Sequence, residues 1–174
     1  MFAYCYSLLN IDFGNLDFSL VKDFSCMFYN CSELVNLDVS NFNTKNSKSF
    51  DCMFCNCYKL KMIDVSHFNS SKCETIHGIF KNCYEINEID MINWDMSNLE
   101  YNINNPIDSM FYNCGKLKKI KISGNLKKDE AINSFLGQIF INIPEKGQLI
   151  LNKNIQCNIP LNGYLPHKWI RFRE

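Results

Sequence analysis

One pattern of side chains recurs five times in the first 125 residues, and it constrains the fold more than any other feature of the chain. The pair Met1-Phe2 returns as Met27-Phe28, Met53-Phe54, Ile79-Phe80 and Met110-Phe111. The first three steps are 26 residues each and the fourth is 31. A cysteine follows each pair, at Cys5, Cys31, Cys57, Cys83 and Cys114. Three apolar columns come next. They are Leu8, Leu34, Leu60, Ile86 and Leu117, then Ile11, Leu37, Ile63, Ile89 and Ile120, then Phe13, Val39, Val65, Met91 and Ile122. A large apolar residue closes four copies, at Leu16, Phe42, Phe68 and Trp94, and gives way to Asn125 in the fifth. A fixed period of this kind marks a stacked repeat, in which no single unit can bury its own apolar face.

Within a repeat, two periodicities alternate. Phe50, Met53, Phe54 and Cys57 fall at the spacing of one helical face, which predicts a short helix. Asp23, Ser49 and Thr75 stand where its N-cap belongs, and Pro106 suits the first helical position of a later copy. Leu37-Asp38-Val39-Ser40 alternates apolar and polar, which predicts a half-buried strand. The fold class expected is an α/β repeat solenoid with one parallel sheet and short helices opposite. Its five repeats cover 1–125, starting at 1, 27, 53, 79 and 110, with a loop bulging between Glu100 and Pro106. Residues 126–174 are expected to cap the last layer. A helix is read from Ile132, Phe135, Leu136, Ile139 and Phe140, and a turn from Pro144-Glu145-Lys146-Gly147. Closing strands are read at Gln148 to Leu151 and Lys168 to Phe172.

Charge separates the same two parts. Residues 1–114 hold 7 basic and 14 acidic side chains, and residues 115–174 hold 11 and 4. The total is zero, which argues against a nucleic-acid binder that works by bulk charge. No apolar run reaches the ~18 residues of a membrane-spanning helix. The start of the chain shows no signal-peptide pattern and no lipobox before Cys5. Met1 lies on a repeat boundary, so Phe2, Leu8, Ile11 and Phe13 are expected at an open end. Missing upstream repeats, or end-to-end stacking of two chains, would cover it.

The pattern Met27-Phe28-x-x-Cys31-x-x-Leu34-x-x-Leu37-Asp38-Val39-Ser40-x-Phe42-Asn43-Thr44 resembles the BspA-like leucine-rich repeat, the mycoplasma-type surface lipoprotein repeat. Phe42 stands where the leucine-rich frame usually has Asn. Leu165-Pro166-His167-Lys168-Trp169 is similar to that family's ending. The resemblance implies a leucine-rich-repeat-like right-handed coil. It also implies a surface or secreted, adhesin-like protein that binds a host or matrix protein. An intracellular scaffold or secreted effector with the same repeat is the alternative, with a cytoplasmic location. It is favoured by ten cysteines with no evident pairing.

Candidate chemistries fall to the repeat. Cys52-x-x-Cys55-x-Cys57 looks like a metal site, but Cys57 belongs to the five-cysteine column and Cys52 pairs with Cys26 in another. No second ligand pair accompanies it, so a metal is not expected. Stacked cysteines about 4.8 Å apart point in parallel and suit a disulfide poorly. Asp64, His67 and Ser40 could be imagined as a triad, yet Asp64 and Ser40 are column residues. No enzyme motif is present, and neither catalysis nor a cofactor is expected. A partner would meet the outward strand positions. These are Asn10, Asn36, Met62, Glu88 and Lys119, with Asp12, Asp38, Asp64, Asp90 and Lys121 and with Gly14, Ser40, Ser66, Ile92 and Ser123. The candidate partner-binding set is Asp12, Asp38, Asp64, Asp90, Ser40, Ser66, Met62, His67 and Lys121. Stacked like charges are unfavourable and should raise some of the aspartate pKa values. Local hydrogen bonds outweigh a ligand as the expected compensation, and too few carboxylates per layer are available for calcium.

Overall fold

The computed structural model describes residues 1–100, 107–122 and 139–151, and the backbone of 168–173. Successive repeats lie side by side in parallel. Each is joined to the next by backbone bonds at two places, one near the Met-Phe pair and one near the strand position.

The Met-Phe segment is where the expected helix does not form. Every second amide bonds within its own turn: Met27 N to Phe24 O at 3.2 Å, Tyr29 N to Cys26 O at 3.1 Å, and Cys31 N to Phe28 O at 3.1 Å. The alternate amides cross to the next repeat: Phe24 N to Ser49 O, Cys26 N to Asp51 O, Phe28 N to Met53 O and Asn30 N to Cys55 O, at 2.8–3.0 Å. An α-helix would use its amides on its own carbonyls and leave few for a neighbour. Left-handed residues interrupt the segment as well. Cys26, Cys52, Gly78 and Ser109 form one column with φ of 52–58°, and Asn30, Asn56, Asn82 and Asn113 form another with φ of 59–64°. A right-handed helix cannot pass through such residues. The apolar spacing therefore describes consecutive turns that also act as a parallel ladder. Two of the expected N-caps cap turns, Asp23 Oδ1 accepting from Ser25 N at 2.7 Å and Ser49 Oγ from Asp51 N at 3.1 Å, whereas Thr75 Oγ1 donates to Asp51, which also takes the His77 amide.

On the other side the strand positions pair in parallel. Asn36 bridges Met62, and the full strands are β1 (Glu88–Met91), β2 (Lys119–Ile122), β3 (Lys146–Leu151) and β4 (Lys168–Arg173), in sheet order β1-β2-β3-β4. Ile89 faces Ile120, and Ile120 faces Leu149. In the earlier repeats the Ser40 and Ser66 amides turn back to Asp38 and Asp64 at 2.9 Å, so the chain leaves the ladder there. Local side-chain acceptors of this type compete with sheet bonding.

The core lies between the two sides. Phe28, Phe54, Phe80, Phe111 and Phe140 stack at ring separations of 5.5–6.2 Å. Phe42, Phe68 and Trp94 form a second file at 5.9–6.4 Å. Leu16 does not continue it: its side chain is 57% exposed, and Phe13 and Phe18 pack on Phe42 instead, at 4.9 and 4.0 Å. Phe140 also extends the repeat into the segment read as a cap. Phe111 N donates to Ile139 O and Asn113 N to Ile141 O, and Asn142 takes a φ of 58°. The frame Ile139-Phe140-x-Asn142, then Leu149-x-Leu151, is that of the earlier repeats without its cysteine. The expected strands in this segment form and run parallel to β2, whereas most of the expected helix, the Glu100–Pro106 loop beyond Glu100, Asn125 and Leu165–His167 lie outside the described residues.

Candidate functional site

The outward strand positions of the second to fourth repeats surround a concavity of about 730 Å³. Asn36, Asp38, Met62, Asp64, Ser66, Glu88 and Asp90 line it, together with Lys61 and Asn87. Five of the expected residues thus meet there: Asp38, Asp64, Asp90, Ser66 and Met62. Asp12, Ser40, His67 and Lys121 are not part of the lining.

Each aspartate closes a turn of its own. Asp12 Oδ1 accepts from Gly14 N at 2.8 Å, Asp38 from Ser40 N at 2.9 Å, Asp64 from Ser66 N at 2.9 Å and Asp90 from Ile92 N at 3.1 Å. Ser66 Oγ donates to Asp64 at 2.6 Å. At Asp38 and Asp64 the bonds overturn the expectation that crowding raises the carboxyl. The Ser40 amide and hydroxyl hold Asp38 below the usual carboxylate range. The Ser66 hydroxyl and amide do the same for Asp64. The strip is therefore anionic without needing an ion to stabilise it.

Past Asp64 the charge pattern changes. In-register pairing sets Glu88 beside Lys119 and Asp90 beside Lys121, with ion pairs of 2.6 and 2.8 Å. Lys121 thus neutralises the strip at that layer. His67 lies to one side, with Nε2 3.0 Å from Val39 O and its ring edge-on to Phe68. It follows the structural role of its column: Asn41 donates to Gly14 O at 3.3 Å. Met62 is 70% exposed and gives the concavity an apolar contact. Lys61 and Asn87 were missed by the periodic reading. Their column runs Leu9, Val35, Lys61, Asn87 and Lys118, with no constant residue type to mark it.

The cysteine column is a ladder of donors. Cys31 Sγ donates to Phe2 O, Cys57 to Phe28 O, Cys83 to Phe54 O and Cys114 to Phe80 O, at 3.1–3.2 Å. Burial pushes Cys31 up to about 11 and Cys114 up to about 12, so these thiols keep their protons. Beside it runs an asparagine ladder. Asn56 donates to Asn30 and Asn82 to Asn56 at 2.6 Å, and Asn113 to Asn82 at 3.0 Å. Four asparagines thus bond one another in a single column. Among the described residues, no group of three His, Cys, Asp or Glu side chains could hold a metal ion, and no helix is long and apolar enough to cross a membrane.

No curated protein and no solved structure matches the chain. Residues 1–125, the span of the five repeats, match the family described as Mycoplasma protein of unknown function, DUF285, and the chain belongs to that family.

Proposed function

We propose that the chain is a non-enzymatic protein-binding module that engages a basic segment of its partner through the strand-side concavity. The observation that carries this reading is the ionised Asp38–Asp64 strip beside exposed Met62, within a concavity of about 730 Å³. An interface needs an apolar centre with complementary charge around it, and this surface offers both. The parallel repeats and the residue pattern support a leucine-rich-repeat-like solenoid of the BspA-like kind. An adhesin-like role at the cell surface or in secretion, with a host or matrix protein as partner, rests on that resemblance alone. Free thiols at all nine described cysteines favour the second reading, an intracellular scaffold or secreted effector.

The test compares the wild type with D38N/D64N/D90N in binding to immobilised matrix proteins and to a lysine-rich peptide. Asparagine keeps a turn-closing oxygen and removes the charge. Weaker binding by the triple variant, with a steeper loss in salt for the wild type, supports the reading. Equal binding by both proteins removes the strip from the site.

A further inference from the structure

Cys52 and Cys55 stand apart from the thiol ladder. Cys52 belongs to the left-handed column of Cys26, Gly78 and Ser109, with a φ of 52°. It is half-buried, so small reagents can reach it. Cys55 is in neither cysteine column. Its equivalents in neighbouring repeats are Tyr29, Lys81 and Tyr112, and its side chain is buried. A tight turn joins the two, with Cys55 N donating to Cys52 O at 3.1 Å. That turn brings the two residues together, and each thiol shifts the ionisation of the other.

We propose that Cys52 and Cys55 form an oxidisable pair, in which peroxide attacks at Cys52 and Cys55 resolves the product as a disulfide within the turn. The Cys52 thiolate attacks one peroxide oxygen, the O–O bond breaks and hydroxide leaves, so Cys52 becomes a sulfenic acid. The Cys55 sulfur then attacks the Cys52 sulfur. The S–S bond forms, the S–O bond breaks, and the hydroxyl leaves with the Cys55 proton as water. Two thiols lose two electrons, and one peroxide is reduced to two waters.

The surroundings divide the roles. The adjacent Cys55 thiol lowers the Cys52 pKa, and Cys52 in turn raises that of Cys55. The Lys81 ammonium also favours a Cys52 thiolate, while partial burial and Asp51 oppose it. A low-pKa, reachable thiol beside a protonated partner is the arrangement of a sensor with its resolving cysteine. The other candidates are worse placed. Cys31, Cys57, Cys83 and Cys114 are fully buried and donate to carbonyls. Cys26 lies one repeat from Cys52, and burial raises its pKa. It occupies the same left-handed column position as Cys52, and stacked positions about 4.8 Å apart suit a disulfide poorly.

The full chain, fully reduced, is treated with rising hydrogen peroxide. Remaining thiols are blocked, and every cysteine is then assigned by mass spectrometry. Cys52 and Cys55 are expected to become protected together, at about tenfold less peroxide than Cys26, since each unit of lowered pKa raises the thiolate fraction about that much. C55S should stop at a Cys52 sulfenic acid that dimedone traps, and C52S should leave Cys55 reduced at the same dose. First oxidation at Cys5 or Cys26, a Cys26–Cys52 link, or Cys55 oxidation that persists in C52S would overturn the pair. The wild-type map decides the matter even if either variant folds poorly.

Discussion

The Met-Phe side and the strand side of each repeat share one period, but they use it differently. On the Met-Phe side the same residue types recur layer after layer: Phe on Phe, Asn on Asn, and Cys on the carbonyl of the preceding Phe. Identical neighbours are the means of stacking there, so each residue supports the layers on both sides. On the strand side the inward residues recur, and outward only the turn-closing aspartates Asp12, Asp38, Asp64 and Asp90 do. The neighbouring outward column changes from Asn36 to Met62 to Glu88, and the aspartate column ends where Lys121 pairs with Asp90. A side chain that stacking does not require is free to vary, and variation is what a recognition surface needs. The contrast teaches where stability resides in this molecule and which face the proposed partner would meet.

Substitutions can break that contrast in order of size. Phe54→Ala removes a fully buried ring between Phe28 and Phe80 and should cost about 3–5 kcal/mol in a urea titration. A loss under 1 kcal/mol would mean the layers are held by other contacts. Asn56→Ala loses both ladder bonds and puts a Cβ residue without local hydrogen bonding at a φ of 64°, at a cost of about 2–3 kcal/mol. Asn56→Gly keeps the backbone conformation and should cost less than Asn56→Ala in the same titration. If alanine and glycine cost the same, the lost hydrogen bonds and not the left-handed turn decide that column. Lys121→Ala touches the strand side and should move stability by no more than about 0.5 kcal/mol, measured the same way.

The smallest effect sharpens the electrostatic side of the contrast. The folded-state pKa of Asp64 lies below its unfolded value, so its contribution to stability is present above the unfolded pKa and is lost as pH falls through the folded one. Comparing wild type with D64N in urea at about pH 7 and about pH 2 should show a small wild-type advantage at the higher pH only, given an unfolded value near 3.9. An advantage that persists in acid would assign the stabilisation to something other than the carboxylate.

Several features were readable along the chain because they repeat. The five starts, the inward columns and the outward positions needed only the period, and the concavity collects Asp38, Met62, Asp64, Ser66 and Asp90 from that reading. Leu16 was misplaced because its column residue is apolar, but Phe13 and Phe18 reach Phe42 first. The layer around Phe140 went unread as a repeat because it lacks the cysteine that marks the others, although its Phe, Asn and Leu spacing was present. Helical spacing at Phe50, Met53, Phe54 and Cys57 was real, but two structures share it.

The amino-acid sequence by itself determined the period, the identity of the core columns and the acidic character of the outward strip, because these depend only on which residues recur. Tertiary structure decided the rest. An amide in the Met-Phe segment can bond within its turn or to the next repeat, and the choice exists only once a neighbour is present. Half of those amides cross over, left-handed residues make the crossing possible, and an apparent helix becomes a ladder. The same neighbours bring Lys121 to Asp90 and Asn82 to Asn56, contacts that depend on register between layers.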